Sequence, residues 1–173
     1  IANDFQALLG ALERGQMEYD LGCEDIMADC GSVGRKCLRV GQARYHTVVL
    51  PAKTENLESR TFQLMRDFAS SGGRIIALGL PDYVDGEESA ELQAFMQSDA
   101  VIKMQTPQEI LSLYRQEADL LVQCPENSHV YHYRCRYEDG QLLFLTNSSL
   151  TDETPVTVSM PGKYLYRLDA MTG

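Results

Sequence analysis

Two short runs, "TVVLP" (47–51) and "RIIALG" (74–79), are apolar on successive residues, so each is built to be buried on both faces. Between them "SRTFQLMRDFASSGG" (59–73) repeats apolar residues at helical spacing, with Phe62, Met65, Phe68 and Ala69 on one side and Gly72-Gly73 as the stop. Parallel strands need a crossover of this length, so the unit predicted is strand–helix–strand in a parallel sheet. The rhythm continues. "EESAELQAFMQSD" gives a helix through Leu92, Phe95 and Met96, and "AVIKMQ" (100–105) a strand. "TPQEILSLYRQEAD" (106–119) gives a helix with Thr106 as N-cap, Pro107 at the first position and Glu109 closing a capping box. "DLLVQC" (119–124) is a further strand.

Upstream, "NDFQALLGALERG" (3–15) predicts a helix with Phe5, Leu8, Leu9 and Leu12 on one face. Asn3 with Gln6 reads as its start and Gly15 as its stop. "MEYDLG" (17–22) reads as a short strand and "CEDIMADCG" (23–31) as a loop or a single helical turn. "KCLRVGQARYHTVVLP" (36–51) reads as a short strand, a turn at Gly41 and a stronger strand ending in the "TVVLP" run. The class predicted is α/β, a three-layer arrangement with a mostly parallel sheet. Such sheets usually open with a strand, and this chain opens with a helix; upstream sequence supplies the first strand, or the fold does without it.

After Pro125 the period changes from helical to two. "HVYHYRCRYEDGQLLFLTNSS" (129–149) sets Tyr131, Tyr133, Cys135 and Tyr137 on one face, and Asp139-Gly140 marks a hairpin turn. Two more short strands are expected around Pro161-Gly162. The organisation expected is an α/β domain over 1–125 and an antiparallel β extension over 126–173 that leads toward a further domain.

Function classes narrow next. With 25 acidic against 15 basic residues the net charge is −10, which repels polyanions, so no nucleic-acid partner is expected. No apolar run approaches the ~20 residues of a membrane span. The five cysteines, Cys23, Cys30, Cys37, Cys124 and Cys135, form no CxxC pair and read as small semi-buried thiols without a metal. The chain begins with Ile1 and not Met, so an excised or processed fragment is expected.

The strand-to-helix corner in "GGRIIALGLPDYVDG" (72–86) is where many α/β enzymes carry a nucleophile. Here the positions hold Leu80, which is apolar, and Pro81, which has no N–H for an oxyanion hole. No phosphate-binding GxGxxG or GxxxxGK[ST] exists, and no cofactor is expected. His46 reads as a partly buried strand residue, while His129 and His132 are three apart and point to opposite faces. Carboxylates near strand ends (Glu24, Asp82, Asp85, Glu87) suit glycoside hydrolysis in type, but the chain has no Trp on which a sugar could stack. The candidate ligand crevice, at the carboxyl ends of the strands, is lined by Asp20, Glu24, Thr54 and Asp82. Cys23, between a predicted strand and a helical turn, is the best placed thiol for an alternative thiol-dependent hydrolase. A free-standing sugar-binding module is the other alternative.

"ALERGQMEYDLGCEDIM", "LRVGQARYHTVVLP" and "TFQLMRDFASSGGRIIALGLPDYVDG" resemble, in this order, the glutamine-amidotransferase-like middle domain of large glycoside hydrolases. The α-L-rhamnosidase-type enzymes of family 106 are most similar, and the β-galactosidase trimerisation domain is a more distant relative. "YRCRYEDGQLLFLTNSS" and "YRLDAMTG" resemble the passage from that domain into a β-sandwich. The resemblance implies a flavodoxin-like fold and a role as a non-catalytic domain within a hydrolase of plant or bacterial polysaccharide. Its partners would be a catalytic barrel and a β-sandwich of the same polypeptide, with a homo-oligomer as a further option. A periplasmic or extracellular setting is implied too. No active-site residue carries over, since the amidotransferase nucleophile would fall near Leu80.

Overall fold

A computed structural model of the chain describes residues 2–169 and 172. Helix α1 (Ala2–Arg14) buries Leu8, Ala11 and Leu12. Asn3 lies inside it rather than capping it. The helix ends at Arg14, immediately before Gly15, the expected stop. The left-handed residue is Gln16 (φ +55°), whose N–H donates to the Glu13 carbonyl while the Met17 N–H reaches back to Leu12. Gly15 also lets α5 come close: a Cβ there would lie 2.3 Å from Leu111 Cδ2, which would have to shift.

The predicted strand at 17–22 is absent. Two adjacent side chains hold this segment: Tyr19 donates to Glu13 Oε1 (3.2 Å) and Asp20 Oδ2 accepts from the Tyr45 hydroxyl (2.8 Å). Helix α2 (Glu24–Cys30) is longer than the single turn expected. A meander follows, β1 (Gly31–Gly34), β2 (Cys37–Val40) and β3 (Ala43–Tyr45), paired antiparallel in that order. The sequence reading missed β1.

Next come β4 (Thr47–Leu50), β5 (Asn56–Leu57), α3 (Ser59–Ser70), β6 (Arg74–Ala77), β7 (Tyr83–Val84), β8 (Glu87–Glu88), α4 (Ala90–Gln97), β9 (Val101–Lys103) and α5 (Pro107–Glu117). Strands β4, β6 and β9 form the parallel sheet in sequence order, with Val49 opposite Ile76 and Ile76 opposite Ile102. Its pleat sorts the core. Ile75 and Ala77 join Phe62, Met65, Phe68, Leu92 and Met96 of α3 and α4. Ile76, pointing the other way, joins Leu8 and Leu12 of α1 and Ile110 and Leu111 of α5. Helices therefore cover both faces, as a parallel sheet requires. The capping box of α5 is present, with Glu109 Oε1 accepting from the Thr106 N–H at 3.1 Å.

The parallel sheet holds three strands, fewer than the βαβ rhythm predicts. The "DLLVQC" segment forms β10 (Leu121–Gln123), but it pairs antiparallel with the last strand, β13 (Thr157–Ser159). Among the described residues no strand follows Gly162, so the tail has one of the two strands expected there. The hairpin forms as β11 (Val130–Arg136) and β12 (Gln141–Asn147). It closes with the Tyr137 N–H donating to Gly140 O at 2.8 Å.

Side chains from one face of β11 bind the hairpin to the α/β core. Gln16 Nε2 donates to Val130 O (2.8 Å) and its Oε1 meets His132 Nδ1 (2.8 Å). The Arg134 guanidinium, with 3% of its side chain exposed, forks onto Glu18 and donates to Asp119 Oδ1 at 2.9 Å. Replacing Arg134 by Met should cost about 2 kcal/mol, less than for a fully buried pair because the part-exposed Glu18 and Asp119 can rehydrate. Hydrogen exchange should rise across β11 and β12 while α3 and β6 stay protected. Uniform loss of protection would mean that the arginine supports the whole fold.

Candidate functional site

The sheet directs its strand ends into two neighbouring loops. After β4, Thr54 closes a turn, its hydroxyl donating to Pro51 O at 2.8 Å. After β6, Gly79 packs against that turn so closely that a Cβ would stand 2.6 Å from Pro51 O, 2.9 Å from Lys53 N and 3.0 Å from Thr54 N. The corner between strand and helix is thus filled by main chain, with Pro81 buried and Leu80 outward. Beyond it, the N–H groups of Asp82 and Tyr83 both donate to Glu55 O (3.1 Å each), which starts the short β5–β7 pairing.

Carboxylates gather at the start of α3. Glu24 Oε1 accepts from the Glu58 N–H (2.9 Å) and Asp85 Oδ1 from the Ser59 N–H (2.8 Å), so two remote segments cap one helix. Burial pushes the Glu58 carboxyl above its usual range, and Glu24, Asp25 and Asp85 push it further up.

The four crevice candidates separate on this geometry. Glu24 caps α3, and the Thr54 hydroxyl is engaged by its own turn. Asp82 is exposed beside Thr54's loop, within one residue of the Glu55 contact. Asp20 is held by Tyr45, just ahead of β4 at the other end of that strand, and burial together with Asp20 raises the tyrosine's pKa. Thr54 and Asp82 thus share one region, and Asp20 belongs to another. Sequence order alone carried no sign of this, since Asp20 and Glu24 are four residues apart.

Cys23 and Cys30 are exposed, contrary to the semi-buried reading, whereas Cys37 is buried. His46 is also exposed, its Nδ1 against Lys36 O at 2.7 Å. Among the described residues no cluster of three or more His, Cys, Asp or Glu side chains could hold a metal. No helix of the described residues is long and apolar enough to cross a membrane. A cavity of about 350 Å³, unforeseen from sequence, lies between the ends of α1 and α5 and β10, lined in part by Arg14, Tyr114, Arg115, Cys124 and Glu126. Arg14 and Arg115 occupy the last turns of their helices, where cations complement the helix dipole.

One polar group at the hairpin contact stands apart. His132 Nε2 is buried without a hydrogen-bond partner. Burial lowers the His132 pKa from 6.5 and Arg134 lowers it further, against an upward pull from Glu18. The unfolded chain therefore takes up this proton first. Stability is full above about pH 6.5 and falls as the pH drops through the lowered folded value. Urea denaturation at pH 7.5 and 5.5 should show that loss in the parent and a flatter response in His132→Phe. An equal pH response in both would assign the loss to other groups.

No family model matches this chain, and neither a curated protein nor a solved structure does.

Proposed function

We propose that the chain is a non-catalytic structural and interaction domain of a multidomain glycoside hydrolase that degrades plant or bacterial polysaccharide. In this reading it has a flavodoxin-like, glutamine-amidotransferase-like fold and packs against a catalytic barrel and a β-sandwich of the same polypeptide, outside the cell or in the periplasm. Support comes from the run of motifs between Ala11 and Gly86 and from the helix-covered parallel sheet to which they contribute β4 and β6.

The observation that carries the reading is the corner after β6. An acyl-transfer enzyme of this architecture needs a nucleophile there, exposed above the strand, and two N–H donors beside it. This chain has Leu80, then a buried proline without an N–H, and a glycine wedged against the preceding loop. The thiols offer no substitute at that corner, because Cys23 lies ahead of α2.

The test is an assay of the purified chain against aryl α-L-rhamnosides, aryl β-galactosides and a small panel of polysaccharides, with L-glutamine included for amidase activity. The expected result is no turnover above buffer. Turnover that survives repurification would overturn the proposal, and its loss on Cys23→Ser would move the thiol mechanism forward.

A further inference from the structure

Positive charge is concentrated in the β1–β3 meander. Residues 31–45 hold Arg35, Lys36, Arg39 and Arg44 and no Asp or Glu, which leaves 11 basic against 25 acidic residues in the rest of the chain. Among the described residues none of these four enters an ion pair with a carboxylate, although Arg66, Arg74, Arg134 and Arg136 all do.

Strand register sets two of the charges in a row. Ser32 on β1 stands opposite Arg39 on β2, and Arg39 opposite Arg44 on β3. All three are exposed, while Val33, Leu38, Val40 and Tyr45 of the other face pack on the cluster that contains Phe62 and Met65. Like charges directly opposite one another on adjacent strands destabilise a sheet. The Arg39 guanidinium extends over Gly34 of β1, where a Cβ would stand 3.4 Å from its Nε and Nη2. It therefore leans away from β3 and Arg44. Two arginines held side by side with no acid between them break the cross-strand rule without a gain inside the fold, the mark of a site used from outside.

We propose that the outward face of the meander docks an acidic polypeptide segment, whose carboxylates accept hydrogen bonds from the Arg39 and Arg44 guanidiniums and the Ser32 hydroxyl. The planar fork of an arginine matches a carboxylate. Tyr45, the one aromatic residue of 31–45, is on the packed face, so neither a base nor a sugar ring finds a surface to stack on. A nucleic acid or an anionic membrane is an extended charged surface that would also meet the acidic remainder of the chain. A short peptide would not. Three strands ~4.8 Å apart and the four residues of β2 give a patch of roughly 10 by 13 Å, the reach of about four extended residues. Alternate side chains of such a segment share one face at ~6.7 Å, close to the spacing of two guanidiniums splayed from neighbouring strands. The packed inner face holds the backbone in place, so little ordering is needed on contact.

Fluorescein-labelled poly-L-glutamate, followed by anisotropy, should bind the chain at low sodium chloride and be released as salt rises, since exposed ion pairs are screened. Arg39→Gln combined with Arg44→Gln should weaken that binding about tenfold. The same variant should raise the urea midpoint of the free chain by about 0.2 M, because the like-charged pair is gone. Lys163→Gln combined with Arg167→Gln removes equal charge from the tail and should leave binding within about twofold. Equal weakening by the two double variants overturns the proposal, because net charge alone then accounts for the affinity. So does a chain that fails to bind at low salt, or one that binds duplex DNA or polygalacturonate more tightly than polyglutamate. A lowered urea midpoint in the Arg39, Arg44 variant would show that the pair supports the sheet, which removes the reason for assigning this face to a partner. None of these results bears on the absence of turnover, which is assayed separately.

Discussion

Truncating Phe68 to alanine should remove about 4 kcal/mol of stability, a large share of the 5–15 kcal/mol typical of a domain. The ring is 0% exposed and sits at the centre of the cluster formed by α3, α4 and one face of the parallel sheet. What makes the loss large is that the site cannot collapse. The ring rests on Gly73, where a Cβ would lie 2.1 Å away. That glycine is fixed by its own N–H on Phe68 O (2.9 Å), and the next residue by the bond from Arg74 N to His46 O (3.2 Å). The backbone therefore stays in place and an unfilled cavity remains. Urea denaturation should show the midpoint lowered by about 2 M with the slope unchanged, taking about 2 kcal/mol per molar for a chain of this size. Phe68→Leu, which restores most of the volume, should recover more than half of the loss. Equal losses in the two variants would mean that ring shape, rather than volume, holds this cluster.

Gly79→Ala should cost about 3 kcal/mol although it adds a single methyl group. The three atoms it would strike, Pro51 O, Lys53 N and Thr54 N, all belong to the backbone, so no side chain can rotate away. The loops after β4 and β6 would have to part, which strains the bond from Leu78 N to Leu50 O (2.9 Å). Gly41→Ala makes the control. Gly41 has φ +59° with nothing within 4 Å of its missing Cβ, so alanine there meets only backbone strain, about 1 kcal/mol. A smaller loss at Gly79 than at Gly41 would show that the two loops part easily and that the corner has room to open.

The elements read correctly from the sequence are those whose causes are local. Thr106, Pro107 and Glu109 specify the start of α5 within four residues, and the apolar spacing of Phe62, Met65 and Phe68 specifies the face of α3. Where the cause is distant the reading failed. "DLLVQC" has the composition of a central strand, yet its sheet partner is decided by β13, more than 30 residues on. Alternation grouped Tyr131, Tyr133 and Cys135 on one face but could not say which face turns outward. That depends on Glu18 and Asp119, acidic groups reached only in the folded chain, which draw the Arg134 side inward. Gly15 follows the last residue of α1 as its sequence reading has it, but its close approach to Leu111, across the helix interface, was not legible. The crevice was drawn from residue type near strand ends, and pairwise bonds to Tyr45, Pro51 and Glu58 disperse it.

Gln16 also sets a timetable for synthesis. Its amide meets Val130 across 114 residues and His132 across 116, so the hydrogen bonds that satisfy this buried side chain join one part of the product to another made much later. At the usual 5–20 residues per second, translation separates them by roughly ten seconds. The apolar stripe of α1 waits nearly as long for Ile110 and Leu111 of α5. Until Ile76 and then α5 emerge, that stripe is incompletely covered outside the ribosome, an opening for a chaperone that binds apolar segments.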